Sequence, residues 1–392
     1  MGIQFANRMD NLKGSVIREL LKYAEQPDII SFAGGLPAPE LFPVEGMMKA
    51  TERVMMEDGK ASLQYGATDG YLPLRKKIAE RSKKIGFIPD PSEILITSGS
   101  QQGLDFTAKI FINKDDVIIT ESPSYLGALN AFKAYQPKFV EIPMDEDGMI
   151  IEELEKALAA NKNVKFIYTI PDFQNPTGRT MPVERRKKLM ELATEYEIPV
   201  IEDNPYGELR FEGEILPSLK CFDPKNLVIL LGTFSKILAP GMRLGWVIAR
   251  PDLLIKYNLV KQGADLQSSS MAQRQANMFM EMYDIEKHIE KIIKVYSARR
   301  NLMLDTIKKE FPSNVKCTNP QGGLFAWATF PEEVDASVIL KKALEQKVAF
   351  VPGEPFYPNG GNANHCRLNY SCMSEDKIVE GIVRLGKTLK SM

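Results

Sequence analysis

The feature that most restricts the fold is an alternation that begins at residue 94. Short apolar runs at 94–97, 117–120, 139–142, 165–170, 199–202, 227–231 and 244–249 are separated by helix-length amphipathic segments. Runs of this kind read as buried strands, and strand, helix, strand in repetition predicts a mostly parallel sheet covered on both faces. Such a sheet collects ligands at the carboxyl ends of its strands, so the residues that follow each run are where chemistry is to be sought.

The most informative of these segments follows the run 227–231. Thr233, Ser235 and Lys236 stand together, followed by Pro240, Gly241 and Arg243. A lysine beside two hydroxyls and a planar, permanently charged guanidinium is what an enzyme needs to hold a phosphorylated aldehyde. Lys236 supplies the amine that condenses with the aldehyde, and Thr233, Ser235 and Arg243 supply donors to the phosphate. The same residues also suit an ordinary strand-to-loop exit with a solvated Lys and Arg. After the first run, Ser98, Gly99, Ser100, Gln101, Gln102 and Gly103 open a helix whose free N–H groups and positive dipole end form a phosphate seat. A lone turn of this composition is weak evidence. With Ser235 and Arg243 seeking the same group, Ser100 and Gln101 are assigned to the phosphate.

Bulk properties exclude other classes. At 392 residues the chain fits two domains, or one large domain with a lobe. Its formal charge of −1 gives no long-range attraction to nucleic acid or to an acidic membrane surface. Cys221, Cys317, Cys366 and Cys372 lack metal-type pairing and read as reduced thiols of a cytoplasmic protein, with no metal site expected. No stretch is apolar for the width of a bilayer. A helix is expected to end near Asp58 and Gly59, ahead of the polar loop that carries Tyr65. Residues 270–311 read as helix-rich and as the connection to a second domain, and 322–328 and 348–353 as strand and turn of a small lobe. Phe325 and Phe356, in that lobe, suit either a substrate side-chain pocket or the core.

The segment 233–246 resembles the cofactor-lysine segment of class I/II aminotransferases, pyridoxal-phosphate enzymes of fold type I, and the resemblance extends from about Ser15 to the C-terminus. Ile17, Arg18 and Glu19, followed by residues 31–43, look most like the 2-aminoadipate and kynurenine subgroup. The resemblance implies an α/β fold: a large domain with a seven-stranded, mostly parallel sheet sandwiched by helices, and a smaller α+β domain. The expected division is an N-terminal arm at 1–45, the cofactor domain at 46–290 and the small domain at 291–392.

It also implies roles. Lys236 holds the cofactor and then moves a proton between the substrate Cα and the cofactor C4′. Asp203, an acid at a strand end, keeps the pyridine nitrogen protonated so that the ring accepts electrons. Tyr206 hydrogen-bonds the ring phenolate, Tyr125 stacks on the ring, and Asn175 serves both the ring oxygen and the substrate carboxylate. Tyrosine rather than histidine at 125 favours transamination over acyl transfer. Arg367 lies in an alternating segment where a buried guanidinium needs an anion. The resemblance makes that anion the substrate α-carboxylate, with Gly35 backbone beside it. Arg18, on an arm helix, would meet a distal carboxylate, and Tyr65 would reach the phosphate of a partner subunit, which requires a homodimer. The implied reaction moves an amino group from an L-amino acid of 2-aminoadipate, glutamate or aromatic type to a 2-oxo acid, 2-oxoglutarate first among them. Two rivals share the cofactor. A C–S lyase or synthase uses nearly the same residues, whereas a cofactor-sensing regulator carries an N-terminal helix-turn-helix domain, and this chain enters its arm by Ser15 with no basic domain before it.

Overall fold

Each of the seven apolar runs corresponds to a strand of one sheet in the computed structural model, which describes residues 3–6, 8–9 and 28–391. After a two-residue strand β1 (Ile30–Ser31), the chain lays down β2 (Ile94–Thr97), β3 (Val117–Ser122), β4 (Lys138–Asp145), β5 (Gly148–Met149), β6 (Val164–Thr169), β7 (Val200–Asp203), β8 (Val228–Thr233) and β9 (Gly245–Ile248). The order across the sheet is β2-β9-β8-β7-β6-β3-β4-β5. Strands β8, β7, β6, β3 and β4 run parallel, while β9 is antiparallel to both β8 and β2. The eighth strand, β5, was not expected. It exists because the turn at Gly148, with φ +89°, folds the chain back along the edge of β4.

Reversal of β9 matters for the site. Its N-terminal end comes to lie at the same sheet edge as the C-terminal ends of β2, β3, β6, β7 and β8. Strand β8 is buried throughout because helices cover both faces. Its Gly232 faces Trp246 of β9, where a Cβ would fall 2.2 Å from the indole, so only glycine lets that ring lie across the strand.

The helix Val44–Ser62 is interrupted at the expected stop. It kinks at Asp58 (φ −136°, ψ 24°) beside Gly59, pairs the Asp58 carboxylate with Arg274, and resumes to Ser62.

A second lobe follows the long helix Ile285–Glu310. Strands β10 (Lys316–Cys317), β11 (Phe325–Thr329), β12 (Val348–Ala349), β13 (Val351–Pro352) and β14 (His365–Asn369) build it, with the antiparallel order β10-β11-β14-β13 and with β12 paired to β1. The segment after β1 is stitched in by Phe32 N–H to Ala349 O (2.8 Å) and Asn369 N–H to Phe32 O (2.9 Å). The long helix spans two cores: Ile289, Ile292 and Tyr296 pack in the large one, Met303 and Ile307 in that of the lobe. Among the described residues no helix is long and apolar enough to cross a membrane.

The central strand β7 ends in two buried acids that point to opposite faces, Glu202 and Asp203. Glu202 accepts a hydrogen bond from Ser218 Oγ at 2.5 Å, yet burial still pushes its carboxyl up to about 7. Because the folded pKa exceeds the ordinary carboxylate value, the folded chain holds a proton here that the unfolded chain gives up. This contribution is full below the ordinary carboxylate pKa and is lost as pH rises through about 7. Glu202→Gln removes that dependence. In chemical denaturation at pH 5 to 8, its stability relative to wild type should rise by about 1.4 kcal/mol per pH unit until neutrality, and parallel pH profiles for the two proteins would contradict the assignment.

Candidate active site

Between the large sheet's C-terminal edge and the small lobe lies a cavity of about 320 Å³. Its wall contains Gly35, Ser100, Gln101, Tyr125, Asn175, Asp203, Tyr206, Thr233, Ser235, Lys236, Arg243 and Arg367. These twelve predicted residues, scattered over the sequence, are thus brought together. The topology is the cause: Ser100 follows β2, Tyr125 follows β3, Asn175 follows β6, Asp203 ends β7, Thr233 ends β8 and Arg243 precedes the reversed β9. Arg367 comes from β14 of the small lobe, and Gly35 from the segment after β1.

One end of the cavity is rich in donors. The helix Ser100–Phe111 begins there behind Gly99 (φ +84°), and a Cβ at Gly99 would lie 2.4 Å from Arg243 Nη2, so glycine allows both the turn and the close guanidinium. Arg243 takes a left-handed backbone (φ 51°) and donates through Nη2 to Ser98 O at 3.3 Å. Thr233 Oγ1 donates to Ser235 Oγ at 3.0 Å and accepts from Ser235 N–H at 3.1 Å, which holds the two hydroxyls side by side. Gln101 donates through Nε2 to Gly127 O at 2.8 Å.

Lys236 stands in the middle, its Nζ donating to Gly35 O at 2.8 Å. Burial, and then the neighbouring guanidinium groups of Arg367 and Arg243, pull its amine down to about 8. Near neutral pH far more of it is free base than for an ordinary lysine, and the free base is the form that attacks a carbonyl.

Asp203 is buried, and burial pushes its carboxyl up to about 7 despite the hydrogen bond that Tyr168 Oη donates to Oδ2 at 2.9 Å. Its other oxygen, Oδ1, has no partner among the described residues. A buried acceptor left in this state needs a donor, and a cationic one answers both the missing bond and the cost of the charge.

Arg367 is buried, with the rings of Phe325 at 4.2 Å and Phe356 at 5.2 Å from its guanidinium carbon. It donates through Nη1 to Asn175 Oδ1 (2.9 Å) and through Nη2 to Ala33 O (2.8 Å), and Nε has no partner. Among the described residues no carboxylate pairs with it. Burial lowers its pKa only to about 10, so the charge persists at neutral pH. Asn175 Nδ2 donates in turn to Tyr206 Oη at 3.4 Å. Burial raises the Tyr125 and Tyr206 phenols, which remain donors at neutral pH.

Tyr65 is 77% exposed and outside this cavity, and Arg18 lies outside the described residues. Phe325 and Phe356 are core residues whose rings flank Arg367, and neither lines the cavity. Sequence reading missed Tyr168, although a tyrosine in a buried run must find a partner for its hydroxyl. It also missed Glu121, which accepts from Thr169 Oγ1 (2.5 Å), Ile170 N–H (3.3 Å) and Gln174 Nε2 (3.1 Å) and so ties down the loop that presents Asn175. No local pattern announces such a network.

A phosphorylated pyridine aldehyde suits this donor set. Amides at a helix start, hydroxyls and a guanidinium stand at one end, a free amine in the middle, and the unpaired Asp203 Oδ1 within the same wall. Among the described residues no cluster of three or more His, Cys, Asp or Glu is placed to hold a metal ion.

Comparison with known proteins gives the same reading. The family model described as aminotransferase class I and II matches residues 27–385. The chain is 47% identical over 391 residues to aromatic-amino-acid aminotransferase 1 of Thermococcus litoralis, covering 98% of this chain and 94% of that one. It is 41% identical to the 2-aminoadipate transaminase of Thermus thermophilus, covering 99% of this chain and 97% of that one. The crystal structure of Pyrococcus horikoshii kynurenine aminotransferase in complex with PMP superposes with a TM-score of 0.95 at 44% identity, over 99% of this chain and 97% of that one. The chain therefore belongs to the class I and II aminotransferases: it is a transaminase, and pyridoxal phosphate is its cofactor.

Proposed function

We propose that this transaminase takes its amino group from an acidic or aromatic L-amino acid, of 2-aminoadipate, glutamate or kynurenine-like type, and passes it to 2-oxoglutarate. The observation that carries the reading is Arg367, a buried guanidinium without a carboxylate partner on the same cavity as Lys236. Its planar fork matches a carboxylate, and holding the substrate by its α-carboxylate fixes the rotation of the Cα substituents. The names of the relatives support the donor classes.

The chain's own residues divide the work. Ser100, Gln101, Thr233, Ser235 and Arg243 bind the cofactor phosphate, and Tyr125 covers the ring. Asp203 Oδ1 takes the ring N–H, with Tyr168 holding Oδ2. Tyr206 and Asn175 donate to the ring oxygen. When bound, pyridoxal phosphate supplies the electron sink that accepts the pair released as the substrate Cα–H bond breaks. Lys236 would hold the cofactor through Nζ and, as a free amine, would take up the substrate Cα proton, a task for which an amine with a pKa of about 8 is well matched. Arg367 and Asn175 orient the substrate, Gly35 offers backbone beside its carboxylate, and Arg18 meets a distal carboxylate.

Tyr65 completes the phosphate site of a second subunit in this reading, so the enzyme is a homodimer with shared sites. Its exposure of 77%, next to exposed Leu63 and Met56, supports a buried position in such an assembly. In this reading the chain divides into an arm at 1–45, a cofactor domain at 46–290 and a small domain at 291–392; two cores joined by one long helix support a two-domain division, although Ile292 and Tyr296 of that helix still pack in the larger core. The four cysteines form no disulfide, in keeping with a cytoplasmic location.

Three experiments test this reading. An amino donor alone should shift the absorbance of the bound cofactor, and 2-oxoglutarate should restore it. Arg367→Lys should lower kcat/KM for every donor by about 100-fold, while Arg18→Ala should spare aromatic donors and impair acidic ones. Equal loss for both classes would remove Arg18 from side-chain recognition, and a donor that yields product without the reversible shift would make the reaction an elimination. For the shared site, Tyr65→Ala and Lys236→Ala subunits should be unfolded and refolded together. The mixture regains activity that neither parent has, because one of its two sites then carries both native residues. No gain on mixing would place Tyr65 in its own subunit's site or in none.

A further inference from the structure

Behind the phosphate end of the cavity, and outside its wall, a lysine ammonium is buried without access to solvent. Lys261, on the helix Pro251–Ala264, donates to Asp265 Oδ1 (2.9 Å) and Oδ2 (3.1 Å), to Gln102 Oε1 (3.0 Å) and to Ser268 Oγ (3.0 Å). Its three N–H bonds are thus shared among three groups, and a buried charge in this state is tolerated only because all of them are met.

Those partners converge on the turn that precedes Ser100. Asp265 Oδ2 accepts from Ser98 Oγ (2.8 Å) and from Gln102 Nε2 (2.8 Å), and Gln102 Oε1 accepts from Ser98 N–H (2.9 Å) as well as from the ammonium. On its other side the same turn gives Ser98 O to Arg243. The backbone from Ser98 to Gln102 is therefore held between one cation facing the cavity and one ion pair behind it.

The network continues away from the cavity. Ser268 O accepts from Gln273 Nε2 (2.9 Å), Gln273 Oε1 accepts from Tyr71 N–H (2.7 Å), and Gln267 Oε1 accepts from Gly66 N–H. Ile96 N–H donates to Asp69 O at 3.0 Å. The loop that follows Tyr65 hangs from the same short segment, 265–273, that carries the ion pair.

We propose that Lys261, paired with Asp265, is a positioning residue for the cofactor phosphate. It locks the turn 98–102 so that the first amides of the helix Ser100–Phe111 and the Ser100 hydroxyl stand in a fixed array, and it ties the Tyr65 loop to the same frame. The inference rests on the assignment of the phosphate to Ser100, Gln101, Ser235 and Arg243. It adds that the array is preorganised from behind by a group that never touches the ligand.

The test measures binding to the apoenzyme by titration calorimetry with pyridoxal phosphate, with pyridoxal, which lacks the phosphate, and with inorganic phosphate. Lys261→Met should weaken pyridoxal phosphate and inorganic phosphate by about tenfold or more and leave pyridoxal within about twofold of wild type. Equal loss for pyridoxal and its phosphate would mean general loosening and would overturn the proposal, as would unchanged affinity for all three. If Lys261→Met does not fold, Asp265→Asn, which keeps the side-chain shape and removes the charge, carries the same comparison with the same outcomes. Arg243→Ala separates the two layers of the reading. Phosphate-specific loss in Arg243→Ala but not in Lys261→Met overturns the positioning role alone, whereas retention in both overturns the phosphate assignment beneath it.

Discussion

Three cationic side chains share one cavity with a single buried carboxyl, and the protein around them keeps that arrangement from collapsing. Arg243 and Arg367 both bear on Lys236, and with burial they bring its amine down to about 8. Neither guanidinium is paired with a carboxylate among the described residues; that is costly for Arg367, which is buried, whereas Arg243 keeps its contact with solvent, and both stand open to an anion brought from outside. In the proposed function the same imbalance would serve the chemistry: a phosphate and a carboxylate would find partners there, and the amine between them would act as nucleophile and base.

The architecture explains how so unfavourable a cluster is held. The charged groups are fixed by strands: Asp203 on β7, Arg367 on β14, and Lys236 and Arg243 on the one connection pinned between β8 and β9. The reversed strand β9 is the device that brings Arg243 to the edge where the parallel strands end. The rings of Phe325 and Phe356 beside Arg367, the hydrogen bond from Tyr168 to Asp203 and the carboxyl of Glu121 behind the Asn175 loop each remove a freedom from a group that acts. The cavity lies where two hydrophobic cores meet: Arg367 stands between Phe325 of the larger core and Phe356 of the smaller, and the helix Ile285–Glu310 joins the two.

Much of this was legible in the sequence because it is local. Aliphatic runs with turn residues between them define the sheet, and the residues at the ends of those runs define the cavity wall. Lys236 with Thr233, Ser235 and Arg243 is a short-range pattern, as is the turn at Ser98 to Gly103. What escaped is what depends on packing between distant elements. Tyr168 meets Asp203 only once β6 and β7 pair, and the place of Phe325 and Phe356 beside Arg367 depends on the pairing of β11 with β14 and on the turn Glu354–Phe356. Lys261 had the appearance of one more helical lysine, and its burial follows from the packing of its helix on the helix Ser100–Phe111. The helix stop expected at Asp58 and Gly59 corresponds to the break at Asp58, whereas the further turn to Ser62 and the ion pair from Asp58 to Arg274, far along the chain, had no local signal.

The central claim is that the amine at position 236, and no other of the chain's lysines, carries the cofactor. Reduction of the reconstituted enzyme with borohydride, followed by proteolysis and mass spectrometry, tests it directly. The account predicts one stable pyridoxyl adduct per chain, located on Lys236. An adduct on a different lysine, or none at all from a protein that binds the vitamer in full, would contradict it.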